Sequence, residues 1–167
     1  LELPEVTGEV VQYGEAWLRG TNLLLIAAEA GRPIEIEVGF GQVGAGTDMV
    51  KWEISTQDGA RVASGEGAVG ADTTISFTPE VSGLHYGLIS ASGSKFALRS
   101  ANAPVGLYAG SRLHVIGAVE RLYFAAPEEA AEFTVLGEGT NGRERTRINV
   151  YTPDGALCGT AQSGAED

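Results

Sequence analysis

Ile34-Glu35-Ile36-Glu37-Val38 alternates apolar and acidic residues without a break. In an extended chain successive side chains point to opposite faces. This run therefore predicts a strand with Ile34, Ile36 and Val38 against a core and two carboxylates in water. Val50-Lys51-Trp52-Glu53-Ile54, Thr74-Ile75-Ser76-Phe77 and Arg147-Ile148-Asn149-Val150-Tyr151 repeat the pattern. Between such runs stand turn signals: Gly31-Arg32-Pro33, Asp58-Gly59, Ser82-Gly83, Asn141-Gly142 and Pro153-Asp154-Gly155. Asp-Gly and Asn-Gly suit tight hairpins, because both residues tolerate positive φ. Strand signals recur about every 8 to 12 residues, the spacing of an all-β antiparallel sandwich. The one helix-compatible stretch, Pro127 to Glu132, is too short to stand alone and reads as a loop.

Composition removes several function classes. The chain has 167 residues, 22 acidic against 11 basic, for a net charge of −11. A nucleic-acid binder needs a basic stripe, and an anionic membrane repels such a chain. No apolar run approaches the roughly 20 residues of a spanning helix, so membrane insertion is not expected. Cys158 is the only cysteine, which excludes an intrachain disulfide and a cysteine-built zinc site. Leu1-Glu2-Leu3-Pro4-Glu5 has neither the basic start nor the apolar core of a secretory signal, so the chain reads as a processed product or an excised piece.

An internal repeat sets the expected organisation. Thr56-Gln57-Asp58-Gly59-Ala60 returns as Thr152-Pro153-Asp154-Gly155-Ala156 at an offset of 96. Trp52 and Ile54 then fall on Ile148 and Val150. Glu35-Ile36-Glu37-Val38 aligns with Glu132-Phe133-Thr134-Val135 at nearly the same spacing. Ala27-Ala28 aligns with Ala125-Ala126 at offset 98, and three aligned strands in one order point to duplication. A unit of that length is the size of an Ig-like antiparallel β-sandwich. The expectation is one complete module over residues 1–103 and a partial second module over 104–167. The second copy lacks counterparts of Thr74–Phe77 and Leu84–Ile89. Residues beyond 167, the segment Glu9-Val10-Val11-Gln12-Tyr13, or a strand from a second molecule would close it.

Motifs with chemical potential read as structure. Gly39-Phe40-Gly41-Gln42-Val43-Gly44 matches a dinucleotide fingerprint. That chemistry needs a helix next, and Thr47 to Trp52 alternates as a strand instead. His85 and His114 have no partner at a defined spacing and read as solvated. Leu84, Tyr86 and Leu88 share a face opposite His85, and Tyr86 reads as a tyrosine corner. Cys158 falls on Val62 in the repeat and reads as a small core residue. Trp52, in step with Val50 and Ile54, reads as core. Asp48, Asp58, Asp72 and Asp154 lie in turns without the ordered spacing of a calcium loop, so no cofactor is expected, with a surface calcium site as the lesser alternative. The candidate ligand contacts are Tyr13, Trp17 and Tyr108, aromatics in Gly-flanked segments where a ring could stack on a sugar.

Leu122-Tyr123-Phe124-Ala125-Ala126-Pro127-Glu128-Glu129, then Glu132-Phe133-Thr134-Val135, then Ile148 through Gly155 resembles the bacterial pre-peptidase C-terminal type of β-sandwich. In that group an aromatic strand precedes a proline turn, an alternating strand and a strand ending in a turn. Its later strand is often entered through acidic residues. Here the entry is Arg143-Glu144-Arg145-Thr146-Arg147, which speaks against carrying over a calcium site. The resemblance implies a secreted or cell-surface, non-catalytic accessory module of a larger bacterial protein. Its expected partners are polysaccharide or neighbouring domains of a longer chain, not nucleic acid. The alternative is a fragment of an extracellular β-sandwich hydrolase whose active site lies partly elsewhere.

Overall fold

The computed structural model describes residues 5–45, 49–108, 113–119, 122–124, 132–139 and 144–163. Residues 127–131 of the loop expected over Pro127–Glu132, the Asn141-Gly142 turn and Asp48 lie outside them. Contacts divide the chain into two units, Leu1–Leu122 and Tyr123–Asp167. Among the described residues every regular element is a strand.

The first unit holds β1 (Val11–Gln12), β2 (Trp17–Ala28), β3 (Ile34–Gly41), β4 (Val50–Thr56), β5 (Arg61–Gly67), β6 (Asp72–Phe77), β7 (Gly83–Ala101), β8 (Val105–Tyr108) and β9 (Val115–Ile116). They form one antiparallel network. One ladder runs β5-β4-β7-β2-β8. The other joins β6 to β3 and β3 to the C-terminal half of β7. The long β7 serves both because it turns a corner. Ser92 has φ 43°, and beside it the inward positions change from odd numbers (His85, Gly87, Ile89, Ala91) to even ones (Ser94, Phe96, Leu98). A non-glycine residue in that region is uncommon and marks a sharp local bend.

The alternation first seen at Ile34 holds in space. Ile34, Ile36, Val38, Ile75 and Phe77 are buried, whereas Glu35, Glu37, Thr74 and Ser76 are exposed. They join Leu24, Ile26, Val50, Ile54, Ile89 and Phe96 in one core fed by both ladders. Each such side chain contributes about 1.5–3 kcal/mol when fully withdrawn from water.

The second unit contains β10 (Thr146–Tyr151) and β11 (Leu157–Ser163), paired antiparallel. Phe124 and Phe133 meet edge to face at 5.1 Å.

Several expectations change. The division falls after Leu122, not after residue 103, because Val105–Tyr108 and Val115–Ile116 both pair with β2. The N-terminal segment does not close the second unit: Val11 and Gln12 pair with Ala101 and Ser100 of β7. His85 is buried, not solvated, while His114 is exposed. Cys158 is exposed, with Sγ 3.4 Å from the Val150 carbonyl, and is no core residue. Trp52 is only half-buried against the core.

Candidate binding surface

The outward face of the β5-β4-β7-β2-β8 ladder is built row by row from its register. Glu53 lies opposite Leu88, Leu88 opposite Leu23, and Leu23 opposite Tyr108. The next row carries Ser55, Tyr86, Leu25 and Gly106. Residues directly opposite on antiparallel strands share a face, so these side chains form one patch. Tyr108 is 56% exposed and Leu88 45%, while Leu23, Leu25 and Tyr86 are half-buried by one another and their neighbours. Gly106 adds no side chain, so the patch is flat at that edge.

Polar groups rim the patch. Lys51, Ser90 and Thr21 make the row beyond Leu88, and the Thr21 and Ser90 hydroxyls are 3.1 Å apart. Glu53 pairs with Arg61 at 2.8 Å on the β4–β5 side.

The other ladder supplies an internal comparison. Its outward face carries Glu35, Glu37, Asp72, Thr74, Ser76, Lys95 and Arg99. Ser100 donates to Glu37 Oε2 at 3.0 Å, and Arg99 approaches Glu15 at 3.3 Å and Asp72 at 3.9 Å. Apart from the Trp17 ring, which lies against Gly41 beside Lys95 and Arg99, that face is polar, as the solvent side of an antiparallel sheet ordinarily is. The tyrosine–leucine face departs from the rule within the same molecule.

The structure does not gather the three candidate aromatics. The Tyr13 hydroxyl bonds the backbone of Val105, donating to the carbonyl at 3.3 Å and accepting from the N–H at 3.2 Å. Its ring packs on the core, and burial holds its phenol above the usual range, partly offset by the Val105 bond. Tyr13 thus makes the hydroxyl-to-backbone bond expected of Tyr86. Trp17 pairs with Ile116 at the far end of β2 from Tyr108. Lys95 Nζ lies 4.3 Å and the Arg99 guanidinium 4.9 Å from its ring centroid, both within cation–π range. Tyr108 alone of the three stands in the apolar patch.

Leu23, Leu25, Tyr86 and Leu88 were not legible as surface residues from alternation. The available signal was Leu23-Leu24-Leu25-Ile26, an unbroken apolar run that marks a strand covered, or meant to be covered, on both faces.

A shallow depression lies between Thr56–Asp58 and Val81–His85. His85 reaches it from the core, tilted on Phe77 at 6.0 Å, and neither ring nitrogen meets a hydrogen-bond partner. Asp58 accepts from the Thr56 hydroxyl, which holds its carboxyl below the usual range. Among the described residues no three His, Cys, Asp or Glu side chains converge as a metal site would require. No family model and no curated protein matches this chain.

Proposed function

We propose that this chain is a non-catalytic accessory module of an extracellular or cell-surface bacterial protein, built on an Ig-like β-sandwich, that contacts polysaccharide through the outward tyrosine–leucine face. One observation carries the reading: Tyr108, Leu23, Leu88, Tyr86 and Leu25 are set side by side on a solvent face, while the other ladder's outward face is polar but for Trp17, whose ring lies between charged groups. Contiguous exposed apolar surface with a polar rim is characteristic of an interaction site. A pyranose ring presents flat C–H faces that stack on tyrosine and aliphatic surface. Its hydroxyl groups would find Thr21, Ser90, Glu53 and Lys51 at the rim.

The test is affinity electrophoresis of the chain through gels containing a panel of polysaccharides. Retention by at least one, lost in Tyr108→Ala and Leu88→Ser with unchanged circular dichroism, supports the reading. Free migration in every gel overturns it and leaves a spacer module.

A further inference from the structure

Arg19 and Lys95 stand directly opposite each other on β2 and β7. On its other side Lys95 is opposite Gly41 of β3. The Arg19 N–H donates to the His114 carbonyl at 2.9 Å, which carries the pairing of Leu18 with Val115 one residue further and sets His114 opposite Arg19. Opposite residues of antiparallel strands share a face. Gly41, Lys95, Arg19 and His114 therefore form one outward row, and Trp17, two residues before Arg19, stands in the row beside it.

Three neighbouring positions of this row carry basic side chains. Like charges directly opposite each other destabilise a sheet. The chain has 22 acidic residues against 11 basic ones with which to neutralise them. Yet among the described residues neither Arg19 nor Lys95 makes an ion pair, whereas Arg99 on the same face approaches both Glu15 and Asp72. Arg19 and Lys95 are half-buried, and His114 is exposed. Lys95 leans away from Arg19: its Cε is 2.6 Å from the place of a Cβ on Gly41, and its Nζ lies 4.3 Å from the Trp17 ring centroid. The absent side chain at Gly41 makes room for this, and the negative face of the indole stands where a counter-ion would.

We propose that Arg19, Lys95 and His114 bind a single oxyanion of the sulfate, phosphate or carboxylate class, at a site that uses none of the tyrosine and leucine side chains of the other patch. Opposed Cβ atoms about 4.5–5.5 Å apart let the two cationic heads close on one group. Arg19 offers its planar fork to two oxygens, and Lys95 adds a compact charge. The His114 ring supplies a further N–H donor. The anion draws Lys95 off the Trp17 ring and relieves the like-charge opposition within the row.

The experiment titrates the ¹⁵N-labelled whole chain with sodium sulfate, with sodium chloride holding the ionic strength constant. NMR follows the Trp17 indole N–H and the Arg19 Nε–H. The expected result is a saturable shift of both signals in the millimolar range. Arg19→Gln and Lys95→Gln, with the dispersion of the remaining spectrum kept, should weaken binding at least about fivefold, as loss of a hydrogen bond to a charged group does. Arg147→Gln removes one charge from β10 and should leave the affinity unchanged. Glucuronate and a monosaccharide sulfate form a second arm. Tighter binding than acetate and inorganic sulfate assigns the oxyanion to a sugar, and equal binding assigns it to the free ion; either result keeps the site. Absence of a saturable shift with all of these anions, unchanged affinity in Arg19→Gln and Lys95→Gln, or an equal loss in Arg147→Gln overturns the inference.

Discussion

Gly59 and Gly155 hold the same left-handed backbone angle, φ 88° and 89°, at equivalent places in the two hairpin turns. A Cβ at either position would meet nothing within 4 Å, so the constraint is conformational and not steric. An L-residue in this region costs about 1–2 kcal/mol. Gly59→Ala should lower the stability of the first unit by about 1 kcal/mol in urea unfolding, with Asn less costly than Ala. Gly155→Ala should speed amide exchange in β10 and β11 and leave the first unit's exchange unchanged. Equal stability of Gly59→Ala and wild type would show that the turn relaxes without cost.

His85 brings an imidazole into the core without a hydrogen-bond partner for either nitrogen. A buried polar group in that state costs about 1–3 kcal/mol. Leucine fills a similar volume and removes the penalty. His85→Leu should therefore raise the urea midpoint with no change in slope. A lowered midpoint would show that the imidazole is satisfied in solution.

The misplacement of His85 shows where sequence reading stops. Alternation divides Leu84 to Ile89 into two sets, and the structure keeps that division. It does not say which set faces inward. Leu84, Tyr86 and Leu88 are the larger set, yet they point out. Gly87 points in because Ile26, Ile54 and Leu24 already occupy the space beneath it. The deciding contacts come from β2 and β4, far away in sequence. The candidate surface was hidden for the same reason: only Tyr108 of its members stood out, since Tyr86 and Leu88 were set opposite a histidine read as solvated and Leu23 to Ile26 do not alternate. The pairing of the two hairpins was legible because turn chemistry is local, but the burial of Trp52 and Cys158 within them was not, and Glu132–Val135, aligned with β3 by the repeat, forms no strand. The boundary after Leu122 was not, because β8 and β9 join the first unit through long-range pairing with β2.

Tyr13 ties β8 to the chain entering β2 through two bonds to Val105. Tyr13→Phe keeps the ring and removes both, so it should cost about 1 kcal/mol. The phenol also sets an alkaline limit. Its folded-state pKa is raised above the ordinary 10.0 by burial. Its contribution is thus fully present below pH 10 and lost as pH rises through the folded value, because the unfolded chain ionises first. Stability measured across this window should fall less steeply in Tyr13→Phe than in wild type. Parallel curves would place the alkaline transition elsewhere.

Trp52 and Gly65 pair across β4 and β5, and a Cβ on Gly65 would come within 2.5 Å of the indole Cζ2. The indole lies over the glycine. Trp52→Ala should cost less than the about 3–5 kcal/mol of a fully buried aromatic, because the ring is half-exposed. Gly65→Ala should be destabilising in wild type and close to neutral beside Trp52→Ala. A double-mutant cycle should return a coupling of at least about 1 kcal/mol. A coupling near zero would mean that the indole swings clear at no cost.

Trp17 and Tyr108 should separate stability from binding. Trp17 is half-buried, with Lys95 and Arg99 over its ring, and a Cβ on Gly41 would lie 3.0 Å from its Cζ3. Its ring is held between protein groups, and removing it takes away two cation–π contacts worth about 0.5–1 kcal/mol each at an exposed site, together with packing area. Trp17→Ala should therefore lower stability by about 1–2 kcal/mol while polysaccharide retention persists. Tyr108 is the reverse case. Its ring is more than half exposed on an edge strand, so Tyr108→Ala should change stability by less than about 0.5 kcal/mol, as surface substitutions do, and abolish retention. Affinity electrophoresis and urea unfolding on the same two variants check both halves. Retention lost in Trp17→Ala and kept in Tyr108→Ala would move the binding surface from the tyrosine–leucine face to the charged one.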